Sequence, residues 1–106
     1  MTVPAPRRGE VWLAQLDKVR PVIVVTRDPM GRLLHAVLAA PITSTVRELS
    51  TEVPVGPADG VRRESVANLD NVQLVTRSRL IRRVGRARGS TMAAACSALA
   101  IAAGCE

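Results

Sequence analysis

A chain of 106 residues fits one domain, 1–106, because two halves would each be too small to bury a useful core without disulfides or metal. Apolar residues make up 47% of it and aromatics only 1%, so the core has to come from Val, Leu, Ile and Ala, with little bulk per residue and room for help from a second subunit. Fifteen Lys and Arg against nine Asp and Glu give a formal charge of +6, and nearly all the cations are Arg, whose planar fork matches phosphate oxygens bidentately; nucleic acid is the natural partner.

Residues 1–6 carry two prolines and no periodicity, which reads as a loose lead-in. Glu10–Leu16 is a first strand, closed by a tight turn at Asp17-Lys18. Arg20–Arg27 is a second, and its apolar run Val22–Val25 suits burial on both faces. After a turn at Asp28-Pro29-Met30-Gly31 a third strand spans Leu33–Ile42, with Thr43, Ser44 and Thr45 opening a polar turn. His35 lies within that strand, where a satisfied core or edge imidazole is expected rather than a catalyst.

Glu52–Val55 is a short strand, followed by a hairpin loop whose strongest turn signal is Asp59-Gly60. Ser65–Leu69 and Val72–Val75 add short strands. Arg77–Arg88 holds six arginines around Leu80, Ile81 and Val84, as a helical turn leading into an edge strand. A final helix is capped by Ser90 or Thr91, carries Met92, Ala95, Cys96, Leu99 and Ala103 at helical spacing, and ends at Gly104. Short strands, tight turns and one terminal helix define a small β-barrel of the mainly β, α+β class.

Cys96 and Cys105 have neither CxxC spacing nor clustered His, and a single His cannot complete a tetrahedral site, so no metal is expected. Both thiols read as reduced and buried in a cytoplasmic protein. Neither a run of about 18 uncharged apolar residues nor a signal-type apolar region occurs, so no membrane span is expected. Trp12, the only aromatic, reads as a core residue, which leaves RNA recognition without a row of stacking platforms.

Three spaced segments carry the functional reading. They are Arg8-Gly9-Glu10-Val11-Trp12-Leu13 with Leu16-Asp17, then Arg20-Pro21-Val22-Ile23-Val24-Val25-Thr26, then Pro41-Ile42-Thr43-Ser44-Thr45. In this order they resemble the MazF/PemK (Kid-type) family of ribosome-independent, RNA-cleaving toxins, over most of residues 7–75. The resemblance implies an SH3-like barrel with a C-terminal helix and a homodimer. It further implies cofactor-free cleavage of single-stranded RNA leaving a 2′,3′-cyclic phosphate, and neutralisation by a cognate antitoxin.

By the same resemblance Arg20 and Thr43 are active-site residues. The chemistry of their side chains agrees: a guanidinium can offset charge on a phosphorane or act as acid, and a hydroxyl can position the phosphate. Asp70 falls on an aspartate that supplies acid–base chemistry in the Kid-like branch, but Asn68 stands where that branch has arginine. Asp70 also reads as a plain turn residue.

The long loop that the family places between the first two strands shrinks here to Asp17-Lys18-Val19, so a lid over the site is missing or supplied elsewhere. Ser44, Thr45, Arg62, Arg63, Arg77 and Arg79 are the expected RNA contacts, each neutralised phosphate adding salt-dependent affinity. Two rival readings are a CcdB-like toxin that poisons a protein target and a barrel that binds RNA without cutting it.

Overall fold

Seven strands and two helices build the computed structural model, which describes residues 5–105. The strands are β1 (Glu10–Gln15), β2 (Val19–Val24), β3 (Ala36–Thr43), β4 (Glu52–Val55), β5 (Ser65–Asn68), β6 (Gln73–Thr76) and β7 (Leu80–Arg86). Helix α1 is a single turn at Met30–Leu33, and α2 spans Gly89–Ala103. Three 3₁₀ turns occupy Pro57–Asp59, Leu69–Asn71 and Arg77–Arg79.

Every strand pair is antiparallel, in the order β4-β5-β3-β2-β1-β7, with β6 as a further partner of β3. The result is a barrel-like α+β fold whose sheet does not close, since β4 and β7 remain unpaired ends. One edge of β3 changes partner midway. Ala36–Ala39 pair with β6 and Ile42–Thr43 pair with β5, so Ala40 and Pro41 fall in the gap, where the missing N–H of proline forfeits no ladder bond on that edge.

Alternation along β1 and β2 builds two hydrophobic clusters. Val11, Ile23 and Val25 face one side, against β4, β5 and Ala95 and Ala98 of α2. Trp12, Ala14, Val22 and Val24 face the other, against Val37, Val75 and Leu80. The sheet centre is therefore buried on both faces, which is why β2 reads as an unbroken apolar run. Trp12 is core as expected, and its indole N–H donates to the buried Glu10 carboxylate at 3.0 Å.

The 56–64 segment is not a simple Asp-Gly hairpin turn. Asp59 is wholly buried, and its carboxylate accepts from the Arg88 backbone N–H (2.9 Å), the Thr91 hydroxyl (2.8 Å), the Gly56 N–H (3.2 Å) and the Arg88 guanidinium (3.2 Å). Burial pushes this carboxyl up, but the bonds from Arg88, Thr91 and Gly56 together outweigh it and hold its pKa at about 2. Gly60, at φ +83°, lies so close to Gly85 of β7 that a Cβ on it would sit 2.5 Å from the Gly85 Cα. A side chain at either position would push the turn off β7 and pull Asp59 away from the start of α2.

That pin also corrects the helix expectations. Neither Ser90 nor Thr91 caps α2; Arg88 is the N-cap residue, without a side-chain cap, and the Thr91 hydroxyl is committed to Asp59. The buried stripe is Thr91, Ala95 and Ala98, with Met92 and Leu99 beside it, whereas Cys96 and Ala103 face solvent. Both cysteines are free thiols and exposed, not buried, because the anchored Thr91 turns the helix and places Cys105 past its end. Gly104 ends α2 as expected, in the left-handed region, with N–H bonds from Gly104 to Ile101 and Cys105 to Ala100.

Other boundaries move as well, the second strand ending at Val24 rather than Arg27 and the strand expected over Val72–Val75 spanning Gln73–Thr76. The expected third strand begins at Ala36 rather than Leu33, because the chain after Pro29 first makes one helical turn; Leu33 is exposed and His35 sits exposed in the bend that follows. A short apolar run does not by itself distinguish a strand from a helical turn. The loose lead-in falls outside the described residues for 1–4, while Pro6 is fully buried.

Candidate active site

Two clefts meet at the ends of β2 and β3. One has a volume of about 700 Å³ and the other about 600 Å³, and both are lined by Arg20, Ile42, Thr43 and Thr45. The register of β2 with β3 runs Val24↔Ala39, Ile23↔Ala40, Val22↔Pro41. Two residues further along the same register stand Arg20 and Thr43. They form the ridge between the clefts.

Arg20 is half-buried and held in place. Its Nε and Nη2 each donate to one oxygen of Asp17 at 2.9 Å, across the tight turn that joins β1 to β2. The hydrogen bond to Asp17 raises the Arg20 pKa and lowers that of Asp17, so the pair stays ionised. Thr43 is oriented too: its hydroxyl oxygen accepts the Thr45 N–H at 3.1 Å, which leaves the hydroxyl proton free to donate.

Asp70 lines the larger cleft from the Leu69–Asn71 turn. The Thr51 hydroxyl donates to its Oδ2 at 2.5 Å, and Leu69 N–H donates to the Thr51 carbonyl at 3.0 Å, so the turn is docked on a buried threonine. Among the described residues Oδ1 of Asp70 has no such partner. Asn68 does not stand in for an arginine: its Oδ1 accepts the Asp70 backbone N–H at 3.0 Å and caps the turn.

Ser44, Arg62 and Arg63 line the smaller cleft with Thr45, so four of the six expected contacts gather around the ridge, and Asp70 joins them from the larger cleft. Arg77 and Arg79 do not. They follow β6, where Thr76 pairs with Ala36 and the Arg77 N–H donates to the His35 carbonyl, at the opposite end of β3 from Thr43.

Sequence reasoning passed over several lining residues. Asp17 read as a turn residue, although its i,i+3 spacing from Arg20 was a usable signal for an ion pair. Arg47 and Glu52 also line the larger cleft. The Glu52 carboxylate accepts the N–H groups of Arg47 (3.0 Å) and Leu49 (3.1 Å), which shapes the 44–51 loop into one wall of it. Lys18 lines the smaller cleft, beside Arg82, which the sequence already offered as one of the arginines of a phosphate path. Among the described residues no three His, Cys, Asp or Glu side chains converge as a metal site would require, and no helix is long and apolar enough to cross a membrane.

Comparison with known proteins agrees in sequence and in fold. Residues 7–103 match the model of a family described as PemK-like, MazF-like toxin of type II toxin-antitoxin system. A curated relative from Mycobacterium tuberculosis, probable endoribonuclease MazF5, is 41% identical over 104 residues, which covers 95% of each chain. The structure of M. tuberculosis toxin MazF-mt6 superposes with a TM-score of 0.87 at 39% identity, covering 92% of this chain and 98% of that one. A mycobacterial endoribonuclease solved in complex with its cognate antitoxin gives a TM-score of 0.88 at 31% identity, covering 96% and 98%.

Proposed function

The chain belongs to the family of PemK-like, MazF-like toxins of type II toxin-antitoxin systems, and we propose that it cuts single-stranded RNA at the ridge formed by Arg20 and Thr43. The observation that supports this assignment is an oriented guanidinium and an oriented hydroxyl on neighbouring strands, both lining two clefts of about 700 and 600 Å³ that can take the RNA on either side of the cut.

The reaction is an in-line transfer within the RNA. The ribose 2′-oxygen bonds to the adjacent phosphorus, the bond to the 5′-oxygen breaks, and the products are a 2′,3′-cyclic phosphate and a free 5′-hydroxyl. Asp70, held by Thr51 with one oxygen free, takes the 2′-hydroxyl proton. Arg20 donates hydrogen bonds to the non-bridging oxygens as their charge grows. Its raised pKa favours charge stabilisation over proton donation, so the 5′-oxygen draws its proton from a water, which in turn takes up the proton that Asp70 collected and restores the carboxylate.

Thr43 donates its hydroxyl to the same phosphate and fixes it against the guanidinium. Ser44, Thr45, Arg62 and Arg63 hold the flanking backbone. The 44–51 loop, braced by Glu52, supplies the wall that the short β1–β2 connection cannot. No metal takes part in these steps. The protein acts in the cytoplasm, as a homodimer, and a cognate antitoxin holds it inactive.

The test is cleavage of a mixed-sequence RNA by purified protein in EDTA. Cuts that persist in chelator and vanish in Arg20→Ala support the assignment. Binding without cutting would point instead to a non-catalytic RNA-binding barrel.

A further inference from the structure

The two clefts differ in charge and in hydrogen-bonding character. The larger one places three carboxylates, Asp17, Glu52 and Asp70, against Arg20 and Arg47, and adds the carboxamides of Asn68, Asn71 and Gln73. The smaller one holds five cations, Lys18, Arg20, Arg62, Arg63 and Arg82, and no carboxylate. A phosphate backbone is repelled by the first lining and attracted by the second. A nucleobase is neutral and presents donors and acceptors at its edge, which amides and carboxylates can pair.

From this asymmetry, and resting on the RNA-cleaving assignment above, we infer that the larger cleft is a base-reading subsite and the smaller one a phosphate track, with the scissile phosphate on the ridge between them. Asn71 and Gln73 are its specificity-determining residues. The carboxamide of Asn71 has no side-chain partner among the described residues. Gln73 is aimed by its own bond, Nε2 donating to the Asn71 carbonyl at 3.3 Å, which leaves its Oε1 free to accept. The Asn68 oxygen is taken by Asp70 N–H, so Asn68 presents only donors.

The free acceptor Oε1 of Gln73 favours a base with an exocyclic amino group, adenine, cytosine or guanine, over uracil, whose edge offers one N–H between two carbonyls. At about 700 Å³ the cleft has room for one base and its ribose. The aromatic shortage of the chain fits the same division, because an edge read by amides does not depend on a stacking platform.

The experiment pairs cleavage of a randomised RNA pool with affinity selection from a 2′-fluoro RNA pool that cannot be cut by 2′-oxygen attack. Wild-type protein should show an amino-bearing base preference at one position beside the scissile bond in both assays. Asn71→Ala and Gln73→Ala should flatten that preference by about tenfold or more while the other positions keep theirs. Lys18→Ala and Arg82→Ala should weaken binding to all sequences alike and reduce the salt slope of binding by about one each.

Unaltered base preferences in the Asn71 and Gln73 variants, or a base preference that changes with Arg82, would overturn the proposal. Selection of the expected base without any cleavage would sink the catalytic assignment and leave the subsite standing. A wild-type protein that neither cuts the randomised pool nor retains the 2′-fluoro pool would overturn both. Thermal unfolding of each variant checks that the fold is intact.

Discussion

Asp17 grips Arg20 through two parallel hydrogen bonds of 2.9 Å, so the cation at the ridge is already aimed before any RNA arrives. The grip occupies Nε and one Nη2 proton, and the Nη1 protons remain for phosphate. In the proposed mechanism Arg20→Ala removes a group that acts on charge appearing in the transition state. Its expected cost is about 10²- to 10³-fold in cleavage rate. The unfolding midpoint should barely change, because the lost ion pair with Asp17 is exposed and such pairs contribute little. Single-turnover cleavage beside thermal unfolding checks both halves.

Asp17→Asn tests positioning separately from charge. Without the ionised clamp the guanidinium samples more rotamers, and the negative neighbour that competes with phosphate is gone. We expect kcat to fall by about tenfold with KM unchanged or lower, a split that loss of folded protein would not produce. Matched steady-state measurements on wild type and variant decide it; an unchanged kcat would mean that Asp17 does not aim Arg20.

Gly85→Ala would place a Cβ 2.6 Å from the Gly60 Cα and 2.9 Å from the Asp59 carbonyl oxygen. Backbone has to move on one side or the other. The expected destabilisation is about 1–3 kcal/mol, read from urea unfolding. Gly89→Ala, where a Cβ would meet nothing within 4 Å, is the control and should leave stability within about 0.5 kcal/mol.

Asp59 links stability to pH. Its folded pKa, about 2, lies below the unfolded value near 3.8, so its contribution is complete above about pH 4 and is lost as pH falls through 2. The difference is on the order of 2 kcal/mol. Urea titrations at pH 7, 4 and 2.5 should show the loss in wild type and a flatter profile in Asp59→Asn. A wild-type profile as flat as the variant's would remove the buried carboxylate as its cause.

Leu38 and Leu74 face each other across β3 and β6 and are 39% and 68% exposed, and Ile101 of α2 is 39% exposed. With a core this poor in bulk, apolar surface on strands and helix calls for a second copy. Sedimentation should show a dimer at micromolar concentration. Leu74→Glu and Ile101→Glu separate the two faces: the one that yields monomer marks the interface, and a wild-type monomer would contradict dimerisation.

Local features were legible along the chain. Alternation and β-branched runs located β1, β2, β4 and β5, the Asp17-Lys18 turn located the first hairpin, and Gly104 located the end of α2, because each depends on neighbours along the chain. The placement of Arg20 and Thr43 beside the same clefts was also within reach, since β2 and β3 are adjacent and each residue sits towards a strand end. The tertiary structure decided the rest. Asp59 reads as a turn former until Arg88 and Thr91, some thirty positions on, close around it, and that closure sets the face of α2 and exposes Cys96. Arg62 and Arg77 look alike in a string of arginines, yet β3 carries its partners β5 and β6 at opposite ends, which brings one arginine to the ridge and keeps the other away. Charge is a property of a residue, whereas a cleft is a property of which distant strands share an edge.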